Sequence, residues 1–453
     1  MLYAALLVGA TSTLCACSSD DDEPERTRLS ATAATNSYCD FYTVNDGDTL
    51  CFKVTNAAEK TCEVVNPAKY VIKSSFGNLF FLNDENDYQE YMSHSYYTPY
   101  IISDIHATYS GDIVVPSQVA YNGETYTVTG IGEKAFEESG VTSVALPSSL
   151  IKIGDSAFSF AESLTSIALP EGLEEIGGGA FWGCSVLEEI TIPSTVKMIG
   201  VETFDLCSNL RSINVASGNQ CYVADDGVLY TADKKALMGY PAARAADHFT
   251  IPSTVDSLAC FFIECRYLES VTVESNSIDD LSESWFDGSD KFASITVSSG
   301  NPYYTTEDGI LYNKDKSELL FYPQAKAGSA FTVPQWVKTI SSYAFEDCSN
   351  LESVTMQEGL DTLKQCVFRG CNALKTVTLP SSLVSISNYV FNECEQISDI
   401  YCHITAPYEI EADAFSEYDE PYKSATLHVP AGTKPLYQST AGWSKFQNIE
   451  DDL

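Results

Sequence analysis

The sequence predicts a β-rich solenoid in which short repeats share a parallel β-sheet, with β-hairpin inserts, an N-terminal β region and a C-terminal cap. Three observations predict it. A landmark phenylalanine recurs at 136, 158, 181 and 204, at 262 and 286, and at 345, 368, 391 and 415, with spacings of 22 to 24 residues inside each block. Strand-like segments recur in step, including LTSIALP from 164, LEEITIP from 187, LRSINVA from 210, LESVTVE from 268, LESVTMQ from 351 and LKTVTLP from 374. The two longer gaps hold one and the same insert, GNQCYVADDGVLY from Gly218 and GNPYYTTEDGILY from Gly300.

The elements follow in chain order. Residues 1–16, with the apolar LYAALLVGATSTLCA, are too short to span a bilayer and read as a signal peptide. Residues 17–37 form an acidic, flexible tether opening with SSDDDEPE. A β-rich region occupies 38–110, with a strand at DTLCFKVT (48–55) behind an Asn45-Asp46-Gly47 turn and a tyrosine-dense stretch over 67–107. The solenoid spans 111–424, entered through an Asn122-Gly123 hairpin, with inserts near 216–248 and 298–330 built on Asp226-Gly227 and Asp308-Gly309 turns. Residues 425–453 close it as a cap, because an open end exposes both core and sheet edge.

A single turn of this length cannot bury enough apolar surface to offset the ordering of its backbone, whereas stacked turns bury each apolar column against the next. The period near 23 with Leu-x-x-Ile-x-Leu strands is a leucine-rich-repeat signature. The fuller pattern LP-x-x-L-x-x-IG-x-x-AF-x-x-C resembles the BspA-like, or type 5, leucine-rich repeats of bacterial surface proteins. That resemblance covers about 110–453 and implies a right-handed array. The terminus Leu14-Cys15-Ala16-Cys17 resembles a lipobox, which implies acylation at Cys17, although no Lys or Arg precedes the apolar stretch. The acidic run after it resembles the export tag of outer-membrane lipoproteins in Bacteroidetes, so the expected location is the outer membrane, lipid-anchored and facing the cell exterior.

Composition narrows the chemistry. With 63 acidic against 25 basic residues the net charge is −38, which repels nucleic acid and anionic lipid headgroups. Six Phe-x-x-Cys motifs pair Phe181 with Cys184, Phe204 with Cys207, Phe262 with Cys265, Phe345 with Cys348, Phe368 with Cys371 and Phe391 with Cys394. Zinc cages need close pairs, and these cysteines stand one per turn, so no metal is expected. Ser139 and Ala161 occupy the same slot, which points to packed thiols, with an occasional bridge between neighbouring turns left open. Cys39, Cys51 and Cys62 are the better disulfide candidates. None of the five histidines (94, 106, 248, 403 and 428) sits in a metal or triad motif, and Cys402 and His403, adjacent on a strand, face opposite sides. The acidic turns at 45–48 and 225–227 lack a calcium-loop pattern and read as turn chemistry. No catalytic residue and no cofactor is expected.

What remains is surface. Strand alternation turns Thr191, Asn214, Thr272, Thr296, Thr355 and Thr378 outward, flanked by Glu188, Arg211, Glu269, Glu352 and Lys375. Such a row serves equally as a solvated sheet face or as a binding face. Trp182, Tyr303, Tyr304 and the Tyr96/Tyr97 pair are aromatic candidates for carbohydrate contact. The expected function is a non-catalytic surface binding protein, a monomer. What the resemblance implies is adhesion to a host matrix protein or another bacterial surface protein. A glycan-capturing lipoprotein of a polysaccharide uptake system is the alternative, and an enzyme with its site in the N-terminal region is a third reading.

Overall fold

The computed structural model describes residues 40–45, 48–66, 70–73, 79–82, 100–101, 109–281, 283–416 and 421–453. Cys17, the tether, Cys39, His94, Tyr96, Tyr97 and His106 lie outside the described residues, as do positions 46–47 of the acidic turn. The chain divides into two compact units, the first ending at Leu229 and the second running Tyr230–Leu453.

In the first unit, strands Phe41–Asn45, Asp48–Asn56 and Thr61–Val65 form an antiparallel meander. Its last strand pairs in parallel with Glu124–Ile131, which is also the second arm of the Asn122-Gly123 hairpin. Those two turn residues take φ of 50° and 77°, as a tight hairpin turn demands. Beyond the hairpin the turns of this unit contribute two strands each. One set is long and runs parallel, as in Glu189–Ile192 beside Ser212–Val215. The other is a ladder of dipeptides, Lys152–Ile153, Glu175–Ile176 and Met198–Ile199, stacked in parallel onto Glu124–Ile131.

The second unit repeats the plan. Strands His248–Ile251, Ser270–Val273 and Ser294–Val297 form one parallel sheet. A six-stranded sheet runs from Ala330–Thr332 through Ser353–Thr355, Thr376–Leu379, Asp399–Cys402 and Thr426–His428 to Asn448–Glu450. Opposite lies the dipeptide ladder Thr339–Ile340, Thr362–Leu363 and Ser385–Ile386, joined through Glu318–Phe321 to the insert hairpin Tyr304–Glu307 and Ile310–Asn313. Expectation had one sheet; the short strands, followed by Gly154, Gly177 and Gly200 in the first unit and by Ser341, Lys364 and Ser387 in the second, supply another. A Cβ at Gly154, Gly177 or Gly200 would strike the backbone of the preceding turn, so close stacking requires glycine there.

Between the sheets runs the phenylalanine column. Phe136, Phe158, Phe181 and Phe204 stack with centroids 5.0, 5.3 and 5.9 Å apart and planes within 3°. In the second unit Phe345, Phe368, Phe391 and Phe415 continue at 4.8, 5.2 and 5.3 Å. Each block begins on a tyrosine: Tyr109 meets Phe136 at 4.8 Å, Tyr240 meets Phe262 at 5.0 Å and Tyr322 meets Phe345 at 4.8 Å. Burying such a ring stabilises by about 1.5–3 kcal/mol, and the ring–ring geometry adds about 0.5–1.5.

At the terminus, helix Lys434–Ser439 and the short turn Trp443–Lys445 bring Trp443 and Phe446 over Phe415, with Tyr437 against Trp443. The Tyr437 hydroxyl donates to the Ile404 carbonyl at 2.6 Å and the Trp443 indole N–H to that of Tyr408 at 2.9 Å. Both polar tips are thereby satisfied in a buried setting.

Candidate functional site

The cysteines come first, since they decide whether the array does chemistry. Cys184 and Cys207 in the first unit, and Cys348, Cys371 and Cys394 in the second, are free and buried. Each thiol donates to a carbonyl one turn back: Cys184 to Phe158 at 3.2 Å, Cys207 to Phe181 at 3.1 Å, Cys371 to Phe345 at 3.0 Å and Cys394 to Phe368 at 2.9 Å. Burial pushes the Cys184 thiol up to about 12 and those of Cys207, Cys371 and Cys394 well above the ordinary range. A thiol held protonated is a poor nucleophile and a poor metal ligand. Ser289 fills the same slot after Phe286, its hydroxyl donating to the Phe262 carbonyl at 2.7 Å. The slot therefore takes a small residue, and where that residue is Cys184, Cys207, Cys371, Cys394 or Ser289 it also donates one turn back; Ala161 and Ser139, whose hydroxyl has no partner, fill the slot without that bond.

Cys62, a disulfide candidate by sequence, is a free, buried thiol. The antiparallel register sets Cys62 opposite Val54 and Cys51 opposite Val65, so the two cysteines do not face each other. Cys402 is buried with its sulfur 3.1 Å from the Tyr437 hydroxyl, whereas His403 is exposed, so the two point apart as strand alternation requires. Among the described residues no three His, Cys, Asp or Glu side chains converge in a way that could hold a metal ion.

The outward rows are where the remaining candidates fall. In the first unit Thr191 stands beside Asn214, both exposed. In the second unit Thr250, Thr272 and Thr296 align across one sheet, and Thr332, Thr355 and Thr378 across another. The inward neighbours Ile190, Ile213, Val271, Ile295, Val354 and Val377 are buried. One continuous ladder was expected; the second unit instead splits its row between two sheets, parted by the hairpin insert. Glu188 and Arg211 pair at 3.2 Å, and Glu352 and Lys375 at 3.1 Å, each bridging adjacent turns, while Glu269 is exposed.

The row continues past Thr378 into residues that the strand alignment missed. Tyr401, His428 and Glu450 follow in register, and the Tyr401 and His428 rings stack at 4.6 Å with planes 12° apart. His428 is clasped on both nitrogens, Nε2 by Asp399 at 3.1 Å and Nδ1 by Asp452 at 3.0 Å. Burial opposes its charge, but the two carboxylates outweigh burial and hold its pKa above the ordinary value. Reading DIYCHI with the alternation of LKTVTL places Tyr401 where Thr378 stands, and that signal was available in the sequence.

The aromatic candidates separate. Tyr304 packs in its hairpin, its hydroxyl accepting from Leu281 N–H at 3.1 Å and donating to the Asp279 carbonyl at 2.6 Å. Tyr303 is exposed. Trp182 is half-buried and pairs with Phe160, centroids 5.6 Å apart, on the turn edge of the first unit.

Among known proteins, solved structures similar to the chain include three bacterial ones. A leucine-rich cell surface protein from Faecalibacterium prausnitzii shares 18% identity over 90% of this chain and 94% of that one, with a TM-score of 0.47. The pneumococcal vaccine antigen PcpA shares 17% over 92% and 100%, with a TM-score of 0.45. A leucine-rich repeat protein from Eubacterium ventriosum shares 25% over 67% and 76%, with a TM-score of 0.40. No curated protein matches the chain. The family model for the BspA-type leucine-rich repeat region matches residues 127–226, 243–324 and 317–430, in six copies. With more than half of its length so matched, the chain belongs to the BspA-type leucine-rich repeat family.

Proposed function

We propose that this chain is a non-catalytic, adhesin-like binding protein of the cell surface. It recognises a host or bacterial protein through the outward rows of its parallel sheets. The observation that carries the reading is the in-register row Thr332, Thr355 and Thr378, short hydroxyl side chains on a rigid sheet. Threonine loses little rotamer freedom when a partner covers it, and the flanking Glu352–Lys375 pair leaves little uncompensated charge at that edge. Membership of a leucine-rich-repeat family supports the reading, since solenoids of this kind present extended binding surfaces. The buried, protonated cysteines support a non-catalytic role.

The anchor completes the proposal: Cys17 is acylated, residues 17–37 act as the tether, and the array faces outward from the outer membrane. Mass spectrometry of the N-terminal peptide tests this; an unmodified Cys17 would sink it. The binding role is tested with residues 26–453 against immobilised matrix proteins and glycans together. Saturable binding to a protein, lost in the Thr355→Glu/Thr378→Glu double variant, is the expected result. Binding to glycans alone would favour capture of polysaccharide, and binding to neither would overturn the proposal.

A further inference from the structure

We infer that Phe160 and Trp182 form a docking platform for an arginine or lysine side chain in a basic segment of a partner protein. The inference deepens the protein-binding reading above and names the partner's chemistry.

The platform is built by a substitution in the repeat. The position two residues after the landmark phenylalanine takes positive φ in four successive turns, at Glu138, Phe160, Gly183 and Leu206. Gly183 leaves its place empty, and the Phe160 ring lies across it: a Cβ at Gly183 would come 2.6 Å from Phe160 Cδ1. Phe160 thereby reaches Trp182, the rings tilted by 38°. The backbone locks the pair, Phe160 N–H donating to the Trp182 carbonyl at 2.6 Å. Gly179 next to Trp182 carries no side chain; a Cβ there would come 3.8 Å from Trp182 Cβ.

Charge selects the occupant. Glu162 follows Phe160 by two residues and is exposed. Lys134, the basic residue of the preceding turn, is already engaged by Glu137 at 3.5 Å. Elsewhere in the molecule exposed rings sit under the chain's own cations: Lys291 lies 5.6 Å from the Tyr267 centroid and Lys316 5.4 Å from that of Trp336. Among the described residues no such cation covers Phe160 or Trp182. A ring pair near an exposed carboxylate attracts a guanidinium or ammonium through the ring quadrupoles and the negative field of the chain together. The overall charge of −38 brings such a segment to the surface and turns acidic ones away.

The test uses residues 26–453 and a tetra-arginine amide, titrated calorimetrically in 150 mM salt beside maltohexaose as a neutral sugar. Phe160→Ala and Trp182→Ala are each expected to weaken the peptide about 3- to 10-fold, and Trp336→Ala to leave it unchanged. Circular dichroism melts confirm that each variant folds. Equal affinity in all three variants would overturn the platform. So would a Trp182-dependent response to maltohexaose with none to the peptide. The Thr355→Glu/Thr378→Glu variant separates the two proposals: if matrix-protein binding fails altogether but the peptide still depends on Trp182, the platform stands and the outward-row reading does not.

Discussion

The Cys394 sulfur lies 2.9 Å from the carbonyl oxygen of Phe368, one full turn earlier in the chain. The same bond joins Cys371 to Phe345, and its hydroxyl counterpart joins Ser289 to Phe262. Cysteine here is a donor of the right size, placed to satisfy a carbonyl beneath the ring column. Replacing Cys184 with serine should therefore be tolerated. Replacing it with alanine should cost about 1 kcal/mol in urea denaturation, the worth of one buried hydrogen bond. A loss above about 3 kcal/mol, or a Cys184–Cys207 bond in a non-reducing digest, would refute this account.

Reactivity follows from the same geometry. Cys221 is partly exposed, whereas the column thiols are buried and kept protonated. Under native conditions iodoacetamide should modify Cys221 before Cys184, Cys207, Cys371 or Cys394, with peptide mass spectrometry as the readout. Early labelling of the column thiols would contradict the burial.

The ring column carries much of the packing. Phe181 touches a ring above and a ring below, at 5.3 and 5.9 Å, and is fully buried. Phe181→Ala should cost about 3–5 kcal/mol, lowering the denaturation midpoint, while Phe181→Leu should cost less. Similar midpoints for the two variants would argue against a stacked column.

Gly183 has a double role, with φ of 72° and the Phe160 ring across its α-carbon. Gly183→Ala should cost about 1 kcal/mol for the left-handed conformation and displace Phe160 from Trp182. A shift in Trp182 fluorescence reports the displacement; an unchanged spectrum would place the ring elsewhere.

Stability should fall between pH 5 and pH 8. The pKa of His428 is raised above 6.5, because its two carboxylates outweigh burial, so the stability it contributes is complete below pH 6.5 and is lost as pH rises through the folded value. Burial, then Asp287 and Asp347, raises Glu346 from 4.5 to about 7, so its contribution is complete below pH 4.5 and lost on the way to pH 7. Both run in one direction. His428→Asn and Glu346→Gln should each narrow the gap between denaturation midpoints at pH 5 and pH 8, and an undiminished gap in both would refute the assignment.

Much of this architecture was legible because stacking imposes its period on the sequence. Phe158, Phe181 and Phe204 recur at one spacing because their rings must meet, and Thr355 and Thr378 face outward because strands alternate. What escaped had no periodic mark. The dipeptide strands, such as Glu175–Ile176, are too short to alternate; in the first unit only the recurrent Ile-Gly betrays them, and in the second not even that. Tyr109, Tyr240 and Tyr322 head the ring columns from outside the repeat, at places fixed by the fold and not by the spacing. Phe160 meets Trp182 because Gly183 is missing a side chain, a negative feature that no motif announces. His428 joins Tyr401 only through strand register, and Asp452, which clasps it, follows the final strand.

The turn-to-turn bonding also sets the grammar by which such a chain can change length. Phe158 N–H bonds the Ala180 carbonyl, Phe368 N–H that of Val390, and each ring meets its successor one period on. Excision or duplication of one whole period returns every donor to an acceptor of the same kind. Any other step would swing the outward threonines into the core and leave thiols facing rings that have moved. Genes encoding such arrays are therefore free to lengthen or shorten by entire turns, and each gain widens the surface offered to a partner without redesigning what lies beneath it.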